Sequence, residues 1–136
     1  MIKPIVRDAF FLNQKSEKAV RADLPVAKDL EDTLRANRER CVGMAANMIG
    51  YRKRIIIVAT GLADLVMINP EITEKREPYE AEEGCLSLPG TRKTTRYNSI
   101  RVRYLDKSFS EHTQNFSGYI AQIIQHECDH MEGILI

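Results

Sequence analysis

The chain has 136 residues, 43% of them hydrophobic and 29% charged, with a formal net charge of +1. That length suits one domain, 1–136, with a core of its own, and no apolar run approaches the ~18 residues of a membrane span. Twenty Lys and Arg against nineteen Asp and Glu leave no electrostatic footprint for nucleic acid. Met1 to Asp8 lacks the apolar stretch of a signal peptide, which implies a cytoplasmic protein whose three cysteines, Cys41, Cys85 and Cys128, stay reduced.

In chain order, the first expected element is a helix that begins near Leu24-Pro25, with Asp23 as N-cap and Pro25 near the first helical position. Val26, Ala27, Leu30 and Leu34 then make a helical stripe through Asn37, and Arg35, Arg38, Glu39 and Arg40 read as its solvated end. Cys41 to Gly50 packs small residues into an uncharged stretch of the kind that allows close backbone approach.

Arg54 to Thr60 is a β-branched run of strand length, and Leu65 to Pro70 follows after a turn at Gly61, so the two are expected to form a hairpin. Glu71 to Lys75 extends the second strand, with Pro70 marking an edge or bulge. Ser99 to Asp106 alternates apolar and polar residues as a half-buried strand does, and Glu111 to Phe116 reads as a short returning strand. The last helix starts near Ser117 or Gly118. The fold class expected is α+β, antiparallel strands packed around a C-terminal helix.

That helix carries His126-Glu127-Cys128-Asp129-His130. Positions four apart lie on one helix face, so His126 and His130 can hold one cation while Glu127 stands beside them. Two neutral imidazoles leave coordination positions open, and a divalent metal lowers the pKa of bound water from about 15.7 toward ~7, within reach of a carboxylate base. Glu127 is therefore the candidate general base. Cys85, in Glu82-Glu83-Gly84-Cys85-Leu86-Ser87-Leu88-Pro89, is the best available third ligand. Cys128 lies about 200° around the helix from each histidine and faces away; spacing alone leaves Cys41 open.

Gly43-Met44-Ala45-Ala46, Glu83-Gly84-Cys85-Leu86-Ser87 and His126-Glu127-Cys128-Asp129-His130, in this order, resemble the three signature motifs of the peptide deformylases, and the similarity runs over nearly the whole chain. The resemblance implies Fe²⁺, replaceable by Zn²⁺, Ni²⁺ or Co²⁺, held by Cys85, His126 and His130. It implies Glu127 as general base, the Leu86 N–H as an oxyanion donor, and removal of the N-formyl group from the initiator methionine of newly made polypeptides. Val42 and Gly43 resemble the backbone edge that receives the peptide, Arg92 a basic residue at the entrance, and Ile123 a lining residue of the methionine pocket. Glu83 with Arg96 resembles an ion pair beneath the cysteine loop. Nothing indicates the oligomeric state.

Two positions depart from the family pattern. Cys41 stands where the first motif usually has Gly, and Met48 stands where it ends in Gln, whose amide donates to the oxyanion. A thioether donates nothing. Asn47 and Gln122 are the nearby amides expected to substitute. Met48 and Gln122 also give a second reading, an N-acyl hydrolase of different specificity or a weakly catalytic paralogue that binds peptide N-termini.

Overall fold

All four residues of the Ile55–Val58 run are buried. Strand geometry sends Ile55 and Ile57 to one face of a sheet and Ile56 and Val58 to the other, so this strand needs an apolar layer on each side. The structure, a computed structural model that describes residues 1–136, supplies both. Its helices are α1 (Ala9–Leu12), α2 (Leu24–Ala36) and α3 (Gly118–Met131). Its strands are β1 (Gly43–Ala45), β2 (Ile55–Ala59), β3 (Asp64–Cys85), β4 (Leu88–Leu105) and β5 (Glu111–Ser117). They form a single antiparallel sheet in the order β1-β2-β3-β4-β5.

Leu30 and Leu34 of α2 cover one face, packed with Ile55, Ile57, Val66 and Ile68. Ile123 and Ile124 of α3 cover the other, packed with Ile56, Val58, Met67, Ile100 and Val102. Each such side chain contributes about 1.5–3 kcal/mol by leaving water. The two layers pin the central strands and hold α3 against the sheet.

The expected α2 stripe is buried throughout. Asp23 occupies the N-cap position, but its carboxylate accepts the Val20 N–H at 2.8 Å, closing the preceding 3₁₀ turn instead of capping α2. The expected hairpin of residues 54–60 and 65–70 is β2 with β3, and the register slips between Ile68 and Glu71, around Pro70. The break follows because proline has no N–H for the ladder.

The largest difference lies between residues 76 and 98, where no strand was expected. β3 and β4 continue paired through this stretch, as far as Gly84 opposite Thr91 and Cys85 opposite Leu88. The residues are mostly polar and exposed, so hydrophobic alternation does not reveal them. The side-chain ties in this stretch are Glu82 accepting from the Thr91 hydroxyl at 2.7 Å and Glu83 accepting from Arg96 at 2.8 Å. Cys85 is thereby carried on the tip of a long hairpin.

β1 lies within the uncharged, small-residue stretch Cys41 to Gly50. It pairs with β2 on one side and is the end strand of the sheet, so its other edge is open. Gly43 brings it close to α3: a Cβ there would lie 2.6 Å from the Ile123 Cγ2, 3.1 Å from a Glu127 carboxylate oxygen and 3.2 Å from the Ile57 carbonyl. Gly43→Ala should therefore push α3 outward and cost about 1–3 kcal/mol of stability, measurable as a lower urea midpoint.

Candidate metal centre

The turn between β3 and β4 brings Cys85 over α3, where His126 and His130 project from one face. The Cys85 Sγ lies 3.3 Å from the His130 Nε2, which is 3.1 Å from the His126 Nε2. The three ligand atoms all fall within 4.8 Å of one another. Bonds of ~2.0–2.3 Å at tetrahedral angles separate donors by roughly 3.3–3.6 Å, so the set is already near the size of a coordination sphere. One thiolate and two imidazoles, half-buried to buried, fit a borderline divalent cation.

Glu83 fixes the orientation of one imidazole. Its Oε1 accepts from the His126 Nδ1 at 2.8 Å, which turns the Nε2 toward Cys85 and His130. Arg96, 3% exposed, donates to both Glu83 oxygens and, through its Nη1, to Asp129 at 2.6 Å. Burial alone would raise the Glu83 carboxyl, but hydrogen bonds from His126, Arg96 and Gln122 outweigh it and hold the group down at about 2. The expected ion pair of Glu83 and Arg96 is thus present.

The histidines differ in proton affinity. Burial, reinforced by the neighbouring His126, pushes His130 down to about 3, so it presents a neutral ring. Burial also opposes a proton on His126, but Cys85 and Glu83 override it and raise the group to about 10. A cation at this centre therefore competes with a proton for His126.

His130 is fully buried behind Cys85 and His126, which open onto a cavity of about 660 Å³. Glu127 lies on its wall, 4% exposed, and one of its carboxylate oxygens has no hydrogen-bond partner. Burial pushes its carboxyl up to about 7, against the pull of His126, which suits a group that takes and returns a proton near neutrality. Val42, Gly43, Leu86 and Ile123 also line the cavity. The Leu86 N–H enters none of the turn hydrogen bonds, while its carbonyl accepts from Arg7 at 2.8 Å.

Arg92 does not line this cavity, and its guanidinium turns back to the Pro89 carbonyl at 3.4 Å. The mouth is lined by Arg38 and Arg40, expected to be only the solvated end of α2, and by Tyr119. Arg38 is held by both oxygens of Asp64 at 2.7 Å. Tyr119 could have been found from spacing, since it lies seven residues before His126 on one helix face.

The remaining cysteines and the two substitute amides are also placed. Cys41 lines the cavity, and its thiol donates to the Gly43 carbonyl at 2.8 Å; burial pushes it up to about 12, so it stays protonated. Cys128 packs against the α3 side of the core. Met48 lines the cavity, with its sulfur 3.5 Å from the Ala45 N–H. Asn47, fully buried, gives its amide N–H to the His130 carbonyl at 2.9 Å. It braces α3 and does not reach the cavity, so it does not replace the missing Gln.

A family model described as polypeptide deformylase matches residues 3–136. A peptide deformylase of Clostridium beijerinckii is 60% identical over 136 residues, the whole of both chains. Among solved structures, a peptide deformylase from Thermotoga maritima superposes with a TM-score of 0.89 at 30% identity, covering 99% of this chain and 95% of that one. A Met-Ala-Ser-bound class I type b peptide deformylase from Acinetobacter baumannii superposes with a TM-score of 0.88 at 30% identity, covering 99% and 97%. With motifs, fold and full-length similarity in agreement, the chain belongs to the peptide deformylase family and is a metal-dependent hydrolase that removes formyl groups from peptides.

Proposed function

We propose that the substrate is the N-formylmethionine start of newly made polypeptides in the cytoplasm, and that Cys85, His126 and His130 hold the metal, Fe²⁺ in the native protein with Zn²⁺, Ni²⁺ or Co²⁺ able to replace it. The observation that carries this reading is the convergence of those three donors beside Glu127, at a cavity that Cys85 and His126 line and that also borders the end strand β1. Such a donor set suits several borderline metals, and availability selects among them. A cation held there supplies Lewis acidity, which makes water more acidic and polarises a carbonyl.

The protein's own groups supply the rest. An extended peptide adds to the β1 edge at Val42 and Gly43, with its backbone aligned by the strand and its first side chain toward Ile123. Glu127 takes a proton from water as the oxygen attacks the formyl carbon. The Leu86 N–H donates to the oxygen that gains charge. The carbon–nitrogen bond then breaks, Glu127 returns the proton to the leaving amine, and formate and a free N-terminus result. No helix of the chain is long and apolar enough to cross a membrane.

Turnover is tested by formate release from formyl-Met-Ala-Ser with anaerobically prepared Fe²⁺ protein. Glu127→Gln should lower kcat by about 10²–10⁴ while the protein still binds one metal per chain, measured by metal analysis of the same sample. Loss of the metal together with the activity would assign Glu127 a structural role instead. Stripping the metal with a chelator should abolish formate release, and adding back Ni²⁺ should restore it. Met48→Gln should raise kcat about tenfold, short of the ~10²–10³ of a preformed oxyanion donor because the new amide has to leave the packing that Met48 occupies. An unchanged kcat would mean that this wall of the cavity does not face the oxyanion.

A further inference from the structure

Apart from His126, Gln122 is the only hydrogen-bonding neighbour of Glu83 that also lines the cavity. Its amide nitrogen donates to the Glu83 Oε2 at 2.9 Å, and its amide oxygen accepts the Tyr79 hydroxyl at 3.3 Å. This arrangement fixes the orientation of the amide, since the carboxylate can only accept there and a reversed amide would face it with an oxygen. The Oε2 has one other donor, the Arg96 Nε at 3.0 Å, whereas the Oε1 is shared by Arg96 and His126.

The spacing turns these contacts into a frame. Tyr79 and Glu83 are four residues apart on β3, which puts both on one face of the strand, and Gln122 and His126 are four apart on α3, one turn along one face of the helix. Tyr79 to Gln122 and Glu83 to His126 are therefore two parallel ties between hairpin and helix, and Gln122 to Glu83 is a diagonal. A diagonal prevents the frame from shearing. Without it, the Glu83 carboxylate could pivot about its Arg96 contacts, and the His126 ring would follow its Nδ1 partner.

We propose that Gln122, oriented by Tyr79, is a positioning residue for the metal: it locks Glu83 and, through Glu83, the ring plane of His126. This inference rests on the ligand set proposed above. It gives this cavity-lining amide a task other than contact with the substrate side chain. It also redirects the amide expected to serve as an oxyanion donor, because its nitrogen is engaged with Glu83.

The test compares Gln122→Leu, Tyr79→Phe and the double variant in the full chain. Zn²⁺ affinity is measured by chelator competition and the geometry by the visible band of Co²⁺-loaded protein, alongside kcat and KM for a formyl-Met peptide. Gln122→Leu should weaken Zn²⁺ binding about tenfold or more, shift the Co²⁺ band and lower kcat more than it changes KM. Tyr79→Phe should weaken Zn²⁺ binding on the order of threefold, and the double variant should be no worse than Gln122→Leu alone. A changed KM or side-chain preference with unaltered Zn²⁺ affinity and Co²⁺ spectrum would make Gln122 a wall residue and overturn the proposal. If Gln122→Leu does not fold, Tyr79→Phe decides, and unchanged Zn²⁺ affinity in it overturns the proposal likewise. His126→Ala and Cys85→Ala separate the two levels: if they keep the metal, the ligand set itself is wrong, and if they lose it while Gln122→Leu does not weaken it, only the positioning role fails.

Discussion

The buried Glu83 carboxylate is the point on which the site depends. It sits near the tip of the β3–β4 hairpin and binds three groups at once: the Arg96 guanidinium, the His126 ring and the Gln122 amide. A carboxylate with 8% exposure is costly unless its lone pairs are filled, and here they are. Removing one charged partner of such a pair costs about 3–5 kcal/mol, because the other is left buried and unpaired. Arg96 extends the network to Asp129 on α3, so the hairpin and the helix are joined through both charges of the pair.

This join is needed because the three donors come from two elements remote in sequence. His126 and His130 are placed by helix geometry alone. Cys85 arrives at the tip of a long hairpin whose root packs against α3 through Met67, Ile100 and Val102, and its position relative to the histidines depends on that packing and on the Glu83 contacts. Asn47 adds a third brace by holding the His130 carbonyl from the turn after β1. Each of the three motif segments thus supplies both groups for the chemistry and a structural tie.

Legibility in the sequence followed the range of the interactions. The α3 histidines and Glu127 were readable because helix periodicity fixes their geometry within five residues. Val26 to Leu34 and Ile55 to Val58 were readable because hydrophobic pattern reports burial directly. The pairing of residues 76–98 was not, since it is held chiefly by backbone ladders between polar, exposed strands, and a polar stretch of that kind looks like a loop. Arg92 shows the same limit from the other side. Its place in the chain suggested the entrance, but its guanidinium takes the Pro89 carbonyl as partner, a choice that residue type alone does not specify. The roles of Asn47 and Gln122 were obscure because an amide can donate in many directions, and only the fold shows which partners are nearest.

The edge strand β1 is only three residues long, Gly43 to Ala45, or about 10 Å. An enzyme that processes many different chains gains by reading backbone, which is the same in all of them, over a span that includes only their first few residues. A longer open edge would bind more tightly but would also invite the edges of other sheets, the usual route to self-association. On the binding mode proposed above, the shortness of β1 serves two ends: it keeps recognition largely independent of sequence beyond the first residue, and it gives neighbouring copies of the protein too little ladder to grip.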